Sequence, residues 1–178
     1  MTTAYKALPA STKEIANYAR ELRKACGYEY KKQFPIMHFL ELILPRMFPD
    51  LSLELLEVDE MPFKEGETLP GSNTIRLRKD IYLAACDNDG RARFTVAHEI
   101  GHFLLHTPDS IVLCRMEKGQ KLRAFEDPEW QANCFASELL SPVYLAKGMS
   151  KAAIMEQFLL SERAAKVVVS KCRNARFT

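Results

Sequence analysis

This sequence predicts an α+β fold, mainly helical with a small β-sheet, on three observations. Apolar residues recur at three- and four-residue spacing in several stretches, and capping and breaking residues bound those stretches. The short strand-like runs cluster between residues 51 and 84, ahead of two strongly signalled helices. A chain of 178 residues, 47% hydrophobic and 27% charged, suits one domain, or one domain with a small appendage.

Taken in order, the first helix starts at Ser11, which forms a capping box with Glu14 three residues on. Ile15, Tyr18, Ala19, Leu22 and Cys26 share one face, and Gly27 is the stop. A second helix starts near Pro35. Its apolar face is Ile36, Phe39, Leu40, Ile43 and Leu44, and Pro45 is expected to end it. His38 lies off that stripe and receives no role.

Leu51 to Val58 alternates in part and reads as a strand. Residues 60–73 carry two prolines, two glycines, Ser and Asn, and read as a loop. Thr74 to Leu77 and Ile81 to Ala84 read as short strands. Asp87 to Gly90 is a turn that caps a helix over about Arg91 to His106, and Pro108 marks the end of that helix. Ile111 to Arg115 reads as another strand. Asp at N-cap and Pro at N1 make Asp127-Pro128 a helix start, and Ser141-Pro142 closes that helix after Leu140. Two short helical stretches follow, near Ser150–Phe158 and Ser161–Cys172.

No apolar run reaches the length of a membrane span, so no membrane association is expected. Met1 to Ala10 has no apolar core that would serve as a signal peptide. The five cysteines, Cys26, Cys86, Cys114, Cys134 and Cys172, are odd in number, widely spread and form no C-x-x-C pair. That pattern argues against a disulfide framework and against a cysteine-rich zinc knuckle, and for a reducing cytoplasm. The net charge is +2, but residues 147–178 hold seven Lys/Arg (Lys147, Lys151, Arg163, Lys166, Lys171, Arg173, Arg176) against Glu156 and Glu162, a net +5. The expected organisation is a domain over residues 1–146 with a basic helical segment, 147–178, packed on it.

The chemistry is concentrated in His98-Glu99-Ile100-Gly101-His102, an H-E-x-x-H pattern. Four residues of α-helix turn about 400°, so the two histidines return to within roughly 40° of one another, about 6 Å apart along the axis. Two imidazoles so placed can grip one tetrahedral zinc, while Glu99 reaches a water on the metal. Phe94, Ala97, Gly101, Leu104 and Leu105 mark the helix as buried, and Gly101 suggests another backbone passing close by.

A catalytic zinc needs a third protein ligand and an open position. His106 lies one turn beyond His102, and about 12 Å of helix axis would separate it from His98, so it is assigned to the surroundings of the metal, to substrate or to the helix end. Glu126, Glu129 and Glu138 are the remaining candidates. Glu129 is preferred: Ala132 permits close helix approach, and Asn133, one turn on, is placed to orient a ligand. Glu138, nine residues further, faces the opposite side. Spacing alone also fits Glu129 as a favourable acid in a first helical turn.

Two blocks together resemble the ImmA/IrrE metallopeptidase family: Arg93-Phe94-Thr95-Val96-Ala97-His98-Glu99-Ile100-Gly101-His102-Phe103-Leu104-Leu105-His106, and Glu129-Trp130-Gln131-Ala132-Asn133-Cys134-Phe135-Ala136-Ser137-Glu138-Leu139-Leu140-Ser141-Pro142. The resemblance covers about residues 15–145. It implies a zincin-like fold of gluzincin type and a zinc-dependent endopeptidase. It also implies His98, His102 and Glu129 as ligands and Glu99 as base. Relatives cut helix-turn-helix repressors or act in stress responses, so the implied partner is a protein substrate of that kind.

In the expected reaction, Glu99 takes a proton from water activated by zinc and returns it to the leaving amine. His106 and Tyr144 are the candidates for a further oxyanion donor. The rival function is a non-catalytic module that keeps the fold and captures a partner, for instance in a toxin–antitoxin pair. DNA binding through the basic terminal region is not expected, because short helical pairs usually cover a core.

Overall fold

The computed structural model describes residues 2–116 and 122–174. Helix α1 (Thr12–Ala25) begins with the expected capping box: the Ser11 N–H and hydroxyl donate to Glu14 Oε2 at 2.8 and 2.7 Å, and Glu14 N–H donates back to Ser11 Oγ at 3.3 Å. Gly27 leaves it in a left-handed conformation (φ 76°), which lets Tyr28 N–H reach back to the Arg23 carbonyl at 2.7 Å.

The next helical stretch spans residues 36–47 as α2 (Ile36–His38), a π-helical turn (Phe39–Ile43) and α3 (Leu44–Met47). Pro45 does not end it. The widened turn, in which Leu44 N–H bonds to the Phe39 carbonyl, accommodates a residue that has no N–H to give and a ring that an ordinary α-turn would exclude.

A three-stranded sheet follows in the order β2 (Ser52–Leu56), β4 (Thr74–Arg78), β3 (Gly66–Leu69). β2 runs parallel to β4, and β3 antiparallel to it, with Gly66 opposite Leu77 and Leu69 opposite Thr74. β3 lies inside the stretch read from sequence as loop. Gly66 and Pro70 bound only four residues of strand, too few to show alternation. Ile81 to Ala84 is not a strand but part of α4 (Lys79–Cys86). A four-residue apolar run cannot distinguish the two periods, and Leu83, Ala84 and Ala85 are all good helix formers. A further strand missed in the sequence, β1 (Thr2–Ala7), pairs antiparallel with β5 (Ile111–Met116), Ala7 opposite Ile111.

Helix α5 (Gly90–Leu105) is capped by Asp89, whose carboxylate accepts from Arg91 and Ala92 N–H at 3.0 and 2.8 Å. Helix α6 (Pro128–Leu140) is capped by Asp127, which accepts from Glu129 N–H at 3.0 Å. These two helices form the centre of the core, with Val96, Ala97 and Ile100 of α5 buried among Phe135, Ala136 and Leu139 of α6. Their approach is close at Gly101, where an added Cβ would lie 3.0 Å from the Phe135 ring and 3.2 Å from the Ala132 Cα.

The chain finishes with α7 (Val143–Ala146), α8 (Lys151–Phe158) and α9 (Glu162–Asn174). Ile154, Phe158, Leu160, Ala165 and Val168 of this terminal region are buried in the same core cluster. Arg93, itself 2% exposed, ties α5 to it by donating to the Phe158 and Leu159 carbonyls at 3.0 and 3.1 Å and to the Phe34 carbonyl at 2.9 Å. The result is an α+β, mainly helical, zincin-like domain. Among the described residues no helix is long and apolar enough to cross a membrane.

Candidate metal centre

Helix α5 carries His98 and His102 one turn apart on the face toward α6, and the first turn of α6 carries Glu129. One donor atom from each lies within 4.8 Å of the others. The two imidazole Nε2 atoms are 2.9 Å apart, and the Glu129 oxygens stand 3.3 Å from His98 Nε2 and 3.2 Å from His102 Nε2. A tetrahedral zinc with bonds of about 2.0–2.1 Å would hold its ligand atoms about 3.4 Å apart, so the spacing fits with small adjustment.

Proton positions sharpen the fit. His98 Nδ1 lies 3.2 Å from Asn133 Oδ1, and a neutral ring that donates there from Nδ1 offers the lone pair of Nε2 to a metal. His102 Nδ1 faces His106 Nδ1 at 3.0 Å, which likewise leaves its Nε2 directed at the cluster. Two ring nitrogens and a carboxylate oxygen brought this close to one another form an arrangement that a cation satisfies. The Glu129 carboxyl is held far below the ordinary carboxylate range by its contacts with His102 and His98. Burial works against a charged His98, yet its bond to Glu129 and the charges of Glu99 and Glu129 leave its pKa raised. The pocket therefore favours positive charge.

Glu99 projects away from these three, toward β3. It is 6% exposed, and its Oε2 accepts from the Thr68 hydroxyl at 2.8 Å. Burial pushes its pKa up, opposed by the Thr68 bond and by the nearby His98 and His102 rings. Gly66 leaves room for it, since a Cβ there would stand 2.7 Å from Glu99 Cγ.

His106 is buried at the end of α5, 1% exposed, with Nε2 3.1 Å from Gln131 Oε1. Burial lowers its pKa to about 4, so the ring is neutral near pH 7. The other two glutamates are occupied elsewhere: Glu126 pairs with Lys6 at 2.7 Å, and buried Glu138 pairs with Lys171 at 3.1 Å. Tyr144 is also placed elsewhere, correcting its candidacy as an oxyanion donor. Its hydroxyl donates to the Glu29 carbonyl at 2.6 Å, and its ring faces Arg20. Beside Glu129, Trp130 lines an open, largely apolar hollow of about 460 Å³ with Pro9, Ala10 and Phe125.

The IrrE N-terminal-like domain, a peptidase family (M78), matches residues 56–164. The chain belongs to this family. The matched region of this IrrE-like chain runs from the end of β2 into α9, and so contains β3, α5 and α6 with every group described above from Gly66 to Glu138. Membership brings a metallopeptidase-type function, in keeping with a His98, His102 and Glu129 group able to hold a metal ion. No curated protein matches the chain. The sequence pattern did not reveal Gly66, Thr68 or Gln131. A Thr and a Gly in a short turn-like segment, and a Gln within a helix, carry no spacing signal, and each acquires its role from contacts made on folding.

Proposed function

We propose that this chain is a zinc-dependent endopeptidase that hydrolyses a peptide bond in a regulatory protein partner, a helix-turn-helix repressor. The convergence of three lone-pair donors beside a buried, separately held glutamate supports the reading most directly. His98 Nε2, His102 Nε2 and a Glu129 oxygen would hold the metal. Zinc when bound supplies a Lewis acid that acidifies water and polarises a carbonyl.

Glu99 performs the proton transfers, taking a proton from water and handing it to the departing amine. Its raised pKa suits a base that must bind the proton long enough to pass it on. Thr68 fixes which way the carboxylate points. Among the described residues β3 pairs only with β4, so one of its edges lacks a strand partner and offers backbone groups to an extended peptide.

The repressor is inferred from the ImmA/IrrE resemblance, and a reducing cytoplasm suits the thiols at Cys26, Cys86 and Cys134. Cys114 lies outside the residues whose side chains are described. The test is to incubate the zinc-loaded chain with helix-turn-helix repressors from its own genome and to identify products by mass spectrometry. Cleavage at one bond is expected. Stable binding without cleavage would replace the enzyme by a partner-capturing module.

A further inference from the structure

Gln131 lies on α6, two residues beyond Glu129, and is 2% exposed. Its side-chain nitrogen donates to two backbone carbonyls, Leu8 O and Phe125 O, each at 2.8 Å. A carbonyl oxygen can only accept, so these contacts decide which end of the amide is nitrogen. Turning the amide over would replace two hydrogen bonds by two close oxygen–oxygen contacts and take this donor from both carbonyls.

With the nitrogen fixed, Gln131 Oε1 faces His106 Nε2 at 3.1 Å and must accept from it. The His106 proton then sits on Nε2. His106 is 1% exposed, and a second proton on so buried a ring is disfavoured, so its Nδ1 is a bare acceptor. His102 Nδ1, 3.0 Å away, must therefore carry a proton and donate it. Neutral His102 is left with its lone pair on Nε2, facing His98 and Glu129.

We infer that the Leu8 and Phe125 carbonyls, acting through Gln131 and His106, set the tautomer of His102 and so present its Nε2 to the metal. Gln131 and His106 are positioning residues in this inference, which rests on the metal-site reading above. The two ligand histidines are thus secured differently. The Asn133 bond to His98 lies in an exposed position, where water competes, whereas the His106–Gln131 bond behind His102 is buried.

Two further hydrogen bonds hold the far end of the series. Phe125 O also accepts from Ala10 N–H at 2.9 Å, and Leu8 N–H donates to Ser110 O at 3.0 Å. The residues that follow β1 and the short turn before α6 thereby form the fixed end of the series.

The test is long-range proton–nitrogen NMR of the histidine rings in the full chain, with and without zinc. His106 should show its proton on Nε2 and His102 on Nδ1 in both states. Gln131→Met, which keeps the side-chain volume but removes acceptor and donors, should weaken zinc affinity about 10–100-fold by chelator competition, and should give a mixture of His106 tautomers. Asn133→Ala should weaken it less. A His106 proton on Nδ1 in the wild-type chain, or unchanged zinc affinity in folded Gln131→Met, would overturn the inference. A wild-type chain with His106 protonated on Nε2 that binds no zinc would instead sink the metal-site reading and leave the hydrogen-bond series standing.

Discussion

Glu99 and its neighbours His98 and His102 share one helical turn but face different partners, and each role has its own signature on substitution. Glu99 is not among the three converging donors, so Glu99→Gln should retain zinc while cleavage falls about 10²–10⁴-fold. Metal analysis alongside a cleavage assay checks both halves. Glu129→Ala should lower zinc occupancy. Glu138→Ala should leave occupancy alone but lower stability by about 1–3 kcal/mol in denaturant unfolding, because it removes one of the two partners of Lys171 and the acceptor of the Val143 N–H. The donors were legible in the sequence because helix geometry fixes what residues four apart can share, and because α6 follows α5 with distinct capping signals. Thr68 and Gln131 were not, since Thr68 meets Glu99 across 31 positions and Gln131 meets His106 across 25.

Among the elements, the α5–α6 contact governs the site, because the histidines ride on one helix and Glu129 on the other. Gly101 and Ala132 were already visible in the sequence as a place of close approach. Gly101→Ala gains about 1 kcal/mol of helix propensity. It also forces a methyl to within 3.0 Å of Phe135 and 3.2 Å of the α6 backbone, an overpacking penalty of about 1–3 kcal/mol. The expected outcome is a melting temperature changed by only a few degrees, together with weaker zinc binding as the helices part. Calorimetric unfolding and chelator competition on one sample would separate the two effects, and unchanged zinc binding would contradict the geometry. The elements that escaped sequence analysis were the short ones. β1 and β3 exist because β5 and β4 pair with them, and α4 carried an apolar run too brief to reveal its period. Pro45 continues a helix only because the preceding turn is widened, which composition does not announce.

For the whole molecule, the terminal region contributes side chains to the common core. Burial of Ile154, Phe158, Leu160 and Val168 contributes about 1.5–3 kcal/mol each, a sum comparable with the entire stability of a typical domain. Deleting residues 147–178 should therefore leave an insoluble or unfolded chain, as read by soluble yield and circular dichroism. Of the seven cations there, Lys151 and Lys166 contact Glu162 and Lys171 contacts Glu138, which reduces what is available for phosphates. The position of Trp130 has a practical consequence. It is the only tryptophan in the chain and adjoins Glu129 in sequence, with its indole against the hollow shared with Phe125. Intrinsic emission on selective excitation thus comes from a single fluorophore on the helix that carries Glu129. A zinc titration followed at that wavelength, blank in Glu129→Ala, would make the protein its own optical gauge of occupancy.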